Sequence, residues 1–173
     1  MTPTRPALAS SPDPTPRVDI FIGAPMSGFA DAAAYEHSRS TILDLVKSLR
    51  ADGRTVYYAG ETIATAEGFS GPQAAAEQDF RALAGAAAFV MIYPGRIASS
   101  VLVEIGFAFA RGIPCLILAN RRADLPYSLI ESEKLGGRGI LPPIEIVELT
   151  LGAGSTLKAA EEIARFTAQQ ARP

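Results

Sequence analysis

The sequence predicts a single α/β domain: a doubly wound, five-stranded parallel sheet of the flavodoxin-like or Rossmann-like kind, in three α/β/α layers. Three observations carry this. From Arg17 onward, short β-rich runs alternate with segments of helical apolar spacing, and that alternation builds a parallel sheet with helices on both faces. One run, Phe89-Val90-Met91-Ile92-Tyr93, is apolar without a break, as a strand buried on both faces must be. The length of 173 residues suits one domain, since domain sizes cluster around ~100–150 residues.

Residues 1–16, MTPTRPALASSPDPTP, are proline-rich and polar. They cannot build a core and are expected to be a disordered tail, leaving 17–173 as the domain. Val18–Ile22, ending at Gly23, reads as the first strand. A helix follows from about Ala32. Ile42, Leu45, Val46 and Leu49 form its apolar stripe, and Gly53 stops it. Thr55–Tyr58 is the second strand. After a long connection, Ser70 is expected to cap a helix with Pro72 in its first turn. Phe80 and Leu83 lie on that helix's apolar face. Phe89–Tyr93 is the third strand, followed by a loop over Pro94–Ser100 and a helix from about Leu102 to Arg111. Pro114–Leu118 is the fourth strand. Residues 121–141 are polar and glycine-rich, with a short helix expected near Ser128. Ile144–Leu149 is the fifth strand, and Ser155 caps a last helix reaching about Gln170. A strand order of 2-1-3-4-5 follows.

Composition excludes several functions. The net charge is −2, and Arg121-Arg122 is the only cationic cluster. A nucleic-acid polymer would demand more clustered cations, so the expected partner is a small molecule. One cysteine, Cys115, cannot form an intrachain disulfide, and with one histidine, His37, it cannot supply an N/S zinc set. No metal or cofactor is expected. No apolar stretch reaches the ~20 residues of a membrane span, and no signal-peptide core opens the chain. A cytoplasmic location without membrane attachment is the expectation.

In doubly wound sheets ligands bind beyond the carboxyl ends of the strands, near the point where the strand order reverses. That rule selects the loops Gly23–Phe29 and Pro94–Glu104. Glu104 stands out as a lone carboxylate among Val101, Leu102, Val103, Ile105 and Phe107. It falls in the first turn of a helix, where the positive helix end favours its ionised form. An ionised carboxylate facing a cleft can be a nucleophile; the same position also suits a glutamate that only complements the helix end. Ser99 and Ser100 read either as an anion site or as simple caps. Gly23–Gly28, including Met26 and Ser27, lacks both the GxGxxG and the Walker spacings. It reads as a loop open to close ligand approach or as a plain turn. Asp79 reads by pattern as a solvated helix charge, and Tyr57 as core packing with a polar edge.

Taken in order, five stretches resemble the nucleoside 2-deoxyribosyltransferase superfamily. They are Ile20-Phe21-Ile22-Gly23-Ala24-Pro25, Gly53-Arg54-Thr55-Val56-Tyr57-Tyr58-Ala59, Asp79 ahead of the third strand, Pro94-Gly95 with Val103-Glu104-Ile105-Gly106-Phe107-Ala108, and Gly112-Ile113-Pro114. The likeness spans roughly residues 18–135 and is greatest to the branch of CMP, hydroxymethyl-CMP and deoxynucleoside-monophosphate N-glycosidases. The resemblance implies that Glu104 is a nucleophile attacking the anomeric carbon and that Asp79 orients or protonates the base. It implies that Ser99 and Ser100 contact a 5′-phosphate. It also implies a homodimer in which a neighbour, through a residue such as Ser128, completes the site. Gly23, Met26, Ser27 and Tyr57 would line the substrate. The sequence departs from the family pattern in lacking glycine between Ser100 and Glu104 and in carrying Ser27 where an arginine is frequent.

The expected function is therefore N-glycosidase action on a nucleoside or nucleoside 5′-monophosphate, with a pyrimidine favoured. The alternatives are a nucleoside deoxyribosyltransferase, a nucleotide-sensing module without catalysis, and a TIR-like NAD hydrolase.

Overall fold

The computed structural model describes residues 17–62, 71–152 and 154–170. The predicted tail and the predicted cap at Ser70 lie outside them. Strand β1 (Val18–Gly23) runs into helix α1 (Ala32–Ala51). Asp31 caps α1 by accepting the Ala34 N–H at 2.8 Å. Strand β2 (Val56–Tyr58) is followed by a short 3-10 turn and then by α2 (Pro72–Ala84). The cap position of α2 is held by Gly71, which has no side chain to offer. Strand β3 (Ala86–Tyr93) leads to α3 (Val101–Ala110), and β4 (Cys115–Ala119) follows. A five-residue helix α4 (Ser132–Gly136), strand β5 (Ile144–Glu148) and helix α5 (Thr156–Gln170) complete the domain.

All four strand pairings are parallel, and the order is β2-β1-β3-β4-β5. The predicted class and order are the observed ones. Alternate strand residues divide the core in two. Ile20, Ile22, Val90, Ile92 and Leu118 face α1 and α5, joined there by Ile42, Leu45, Leu49, Ile163 and Phe166. Phe21, Phe89, Met91, Cys115 and Ile117 face the other way, toward Leu83, Val101, Ile105 and Ala108 of α2 and α3. Burying one such aliphatic or aromatic side chain is worth about 1.5–3 kcal/mol, so these two layers hold the helices against the sheet.

Three local expectations shift. Strand β3 begins at Ala86 rather than Phe89, because the alanines there pair with Val18 and Ile20 of β1. The short helix after β4 sits at Ser132–Gly136; Ser128 lies in a run of turns. Ser155 does sit at the start of α5, its carbonyl accepting from Ala159 N–H at 2.9 Å. Its hydroxyl, however, exchanges hydrogen bonds with the backbone of Gly152 and does not cap the helix amides.

Candidate active site

At the carboxyl end of β1 the chain narrows to Gly23, and the first turn of α3 lies over it. A Cβ placed on Gly23 would stand 2.7 Å from Glu104 Oε2 and 2.7 Å from Cζ of Phe89. Only a hydrogen fits there, and the small residue lets the Glu104 carboxylate rest on the end of the sheet. Glu104 is 7% exposed. Its Oε1 accepts a 3.3 Å hydrogen bond from the Ser100 hydroxyl.

Glu104 was expected to be ionised by the helix start. Instead its pKa is pushed up to about 7, first by burial and second by the charge of Asp79, with the Ser100 hydroxyl acting in the opposite sense. The reason is desolvation: removing a carboxylate from water costs more than a helix end returns.

Asp79 comes from α2 on the same face of the sheet. Its Oδ1 accepts a 2.6 Å hydrogen bond from the hydroxyl of Tyr57, the central residue of β2. Burial raises the Asp79 pKa, and the Tyr57 hydrogen bond opposes that rise. Burial and then the bond to Asp79 push the Tyr57 phenol above its usual range, which keeps it protonated as a donor. Beneath the pair, Phe21 stacks on Tyr57 with ring centroids 5.0 Å apart and meets Phe89 at 5.8 Å. The site therefore stands on an aromatic floor that limits water beneath two interacting carboxyls. Pairs of titratable groups whose surroundings push their pKa values away from normal are a frequent mark of acid–base chemistry.

The structure thus brings together Gly23, Tyr57, Asp79, Ser100 and Glu104. Ser99 stands next to them, its Oγ accepting the Val101 N–H at 3.4 Å. Ser27 is exposed on the β1–α1 loop. Met26 packs instead with Tyr35, Phe29 and Ala59 in a small apolar cluster. Ser128 lies apart, exposed beside the outer surface of α3, where it borders a groove with Leu102, Gly106 and Phe109. Phe21 and Phe89, the floor, were not singled out from the sequence. The two-residue spacing from Phe21 to Gly23 is the signal that would have found one of them, since both then point to the same face.

Among the described residues no group of three or more His, Cys, Asp or Glu is placed to hold a metal ion. No helix among them is long and apolar enough to cross a membrane.

No protein-family model matches the chain, and no curated protein matches it. Solved structures do. A CMP N-glycosidase of Clostridium botulinum, BcmB, is 17% identical; the match covers 83% of this chain and 98% of that one with a TM-score of 0.57. The solution structure of BlsM is 19% identical, covering 90% and 96% with a TM-score of 0.64. A conserved protein from Enterococcus faecalis V583 is 17% identical, covering 87% and 99% with a TM-score of 0.53. At these identities the likeness is one of fold, and it extends over nearly the whole of each neighbour.

Proposed function

We propose that the protein is an N-glycosidase that cleaves the base–sugar bond of a nucleoside or nucleoside 5′-monophosphate, with a pyrimidine base favoured. The observation that carries the reading is the buried Glu104 carboxylate resting on Gly23, with Asp79 held by Tyr57 beside it. The shared fold with a CMP N-glycosidase supports it.

As pH falls through about 7, the value to which burial and the Asp79 charge raise Glu104, the Glu104–Asp79 pair takes up one proton between its two carboxyls. The Tyr57 hydrogen bond favours that proton on Glu104 in the free protein. With substrate in place, positive charge developing at C1′ draws the negative charge to Glu104, and the proton passes to Asp79. Glu104 then attacks C1′. The C1′–N bond breaks, its electron pair leaves with the base, and the Asp79 carboxyl supplies the base with its proton. Water attacks C1′ of the resulting ester, gives a proton to the Asp79 carboxylate, and frees Glu104 with the sugar. This is the two-step logic of a retaining glycosidase. Ser99, Ser100 and Ser27 line the sugar or its phosphate. A homodimer is part of the proposal, with Ser128 of a neighbour closing the site.

The test is base release by chromatography from ribo- and deoxynucleosides, their 5′-monophosphates and NAD. Release by wild type and none by Glu104→Gln supports the reading. Normal release by that variant overturns it. A new nucleoside on adding a free second base would make the protein a transferase. Nicotinamide release would make it an NAD hydrolase. Sedimentation of the protein as a monomer at assay concentration would remove Ser128 from the site.

A second reading has one observation in its favour. The run Ser100-Val101-Leu102-Val103 ahead of Glu104 lacks the glycine of the pattern it resembles, so the loop that would seat a substrate for turnover is altered. Saturable nucleotide binding without base release would make the chain a nucleotide sensor.

A further inference from the structure

On the opposite face of the sheet from Glu104, a cavity of about 330 Å3 opens beyond the carboxyl ends of β3 and β4. Its apolar walls include Phe29, Ile92, Leu118 and Leu149, and α1 contributes His37, Ser38 and Thr41 along one side. Glu104, Asp79 and Tyr57 take no part in it. The β1–α1 loop lies hard against the β3–α3 loop between the two places. Gly28, at φ +81°, has no room for a Cβ, which would stand 2.9 Å from Ile97 Cγ2.

The cavity does not end at its apolar part. At Pro94 and Asn120 it meets a shallow basin that holds Arg96, Arg121 and Asp124. Arg121 grips Asp124 through two 2.8 Å hydrogen bonds, and Arg96 Nε lies 3.6 Å from the same carboxylate. Two guanidinium groups thus share one carboxylate, and both arginine side chains remain about three-quarters exposed (76% and 74%). The basin carries an excess positive charge. Asn120 donates from Nδ2 to the Pro94 carbonyl at 2.6 Å, which orients its amide at the join. The His37 ring and the Ser38 hydroxyl make no hydrogen bond among the described residues.

We propose that this cavity is a second ligand site, for a small molecule with an apolar ring body and one anionic group. The ring lies between α1 and the ends of β3 and β4, and the anion meets Arg96 and Arg121. The volume is at the lower end of ordinary small-molecule pockets, roughly 300–1,000 Å3, and the mixture of apolar walls with a few convergent polar groups is what such pockets share. Arginine suits the anion because its planar fork matches carboxylate and phosphoryl oxygens in pairs.

The test uses two fluorescent probes with the same ring system, anionic 1-anilinonaphthalene-8-sulfonate and uncharged N-phenyl-1-naphthylamine. His37 is the only histidine in the chain, so its ring proton resonance reports on the cavity without an assignment experiment. One-site binding is expected, with the sulfonate at least threefold tighter than the neutral probe at low salt. The His37 resonance should shift along the same saturation curve. Replacing Arg96 and Arg121 together by alanine should remove the preference for the anion and leave the neutral probe unaffected. Ser38→Trp, which fills the cavity from α1, should weaken both probes at least tenfold. Displacement by phenyl phosphate against displacement by benzoate then ranks the anion. Probe binding without a His37 shift, an unaltered affinity in a folded Ser38→Trp protein, or no saturable binding would each overturn the proposal. Should Ser38→Trp fail to fold, the wild-type His37 titration decides alone.

Discussion

The Tyr57 hydroxyl donates to Asp79 Oδ1 at 2.6 Å, joining the middle of β2 to the middle of α2 across 22 residues of chain. This bond fixes one carboxyl of the candidate site in place and biases its proton. Removing it by Tyr57→Phe keeps the ring that stacks on Phe21. The Asp79 pKa should then rise further, since burial raises it and the lost bond lowered it. We expect kcat/KM for base release to fall about tenfold, less than the roughly 100-fold or more of losing an acid–base group outright, because Asp79 itself is retained. The acid limb of the pH profile should move upward. An unchanged profile would separate Tyr57 from the chemistry.

The pH profile of the wild type has a defined sign. The proposed active form of the Glu104–Asp79 pair carries one proton. With the Glu104 pKa raised to about 7, that last proton leaves as pH rises through about 7. Activity should therefore fall on the alkaline side near that value, and fall again in acid when both carboxyls are protonated. The two limbs belong to the pair rather than to either residue. A rate that climbs steadily from pH 6 to 9 would refute the single-proton pair.

Glu104 should also cost the fold stability. Its ordinary pKa of 4.5 is raised to about 7 in the native protein. Between those values the native state holds a proton that the unfolded chain has lost, so stability falls as pH rises across this window and stays lower above it. At ~1.4 kcal/mol per pKa unit the contribution is on the order of 3 kcal/mol. Glu104→Gln should melt at a higher temperature than wild type at pH 8, and the difference should vanish near pH 4.5. Equal melting temperatures at both pH values would contradict the buried charge.

Gly23→Ala puts a methyl group where Glu104 Oε2 and the Phe89 ring already stand. Something must move, and overpacking of this kind costs about 1–3 kcal/mol. On the proposed mechanism, displacing Glu104 should cost base release on the order of 100-fold. Thermal melts and single-substrate kinetics read the two effects separately. Wild-type activity in this variant would show that Glu104 does not need its seat on the strand.

Cys115 tests the core independently. It is fully buried, burial alone pushes its pKa up to about 12, and its Sγ donates to the Ile113 carbonyl at 3.2 Å. A thiol reagent should label one equivalent in denaturant and almost none in the native protein over the same interval. Rapid native labelling would mean that β4 opens.

The fold was legible because its signals are local. The stripe Ile42, Leu45, Val46 and Leu49 is buried as its spacing requires, and the apolar run at Phe89 is a central strand. Ala86–Ala88 escaped notice because alanine carries no β signal of its own; neighbouring strands impose the extension. Glu104 was visible as the one carboxylate in an apolar helix. Its raised pKa was not, since that depends on how deeply the helix start is buried. Asp79 looked like a solvated charge because nothing in its own helix reveals that Tyr57 will lie beneath it. The cavity beside His37 is assembled from α1, β3, β4 and the chain after β5, so no local window contains it.

The sheet order has a consequence for how the chain reaches this state. β1 lies between β2 and β3, and its register runs from Val18 opposite Ala86 to Gly23 opposite Met91. The strand made first thus acquires its second neighbour only after both intervening helices have been synthesised. At about 5–20 residues per second that is a wait on the order of several seconds. During it, Phe21 and Ile22 lack the partners that bury them. Pairings between distant parts of a chain also slow the folding search itself, toward the millisecond-to-second end of the range for small domains. The nascent first strand is accordingly a segment whose apolar surface stays exposed until the third strand arrives.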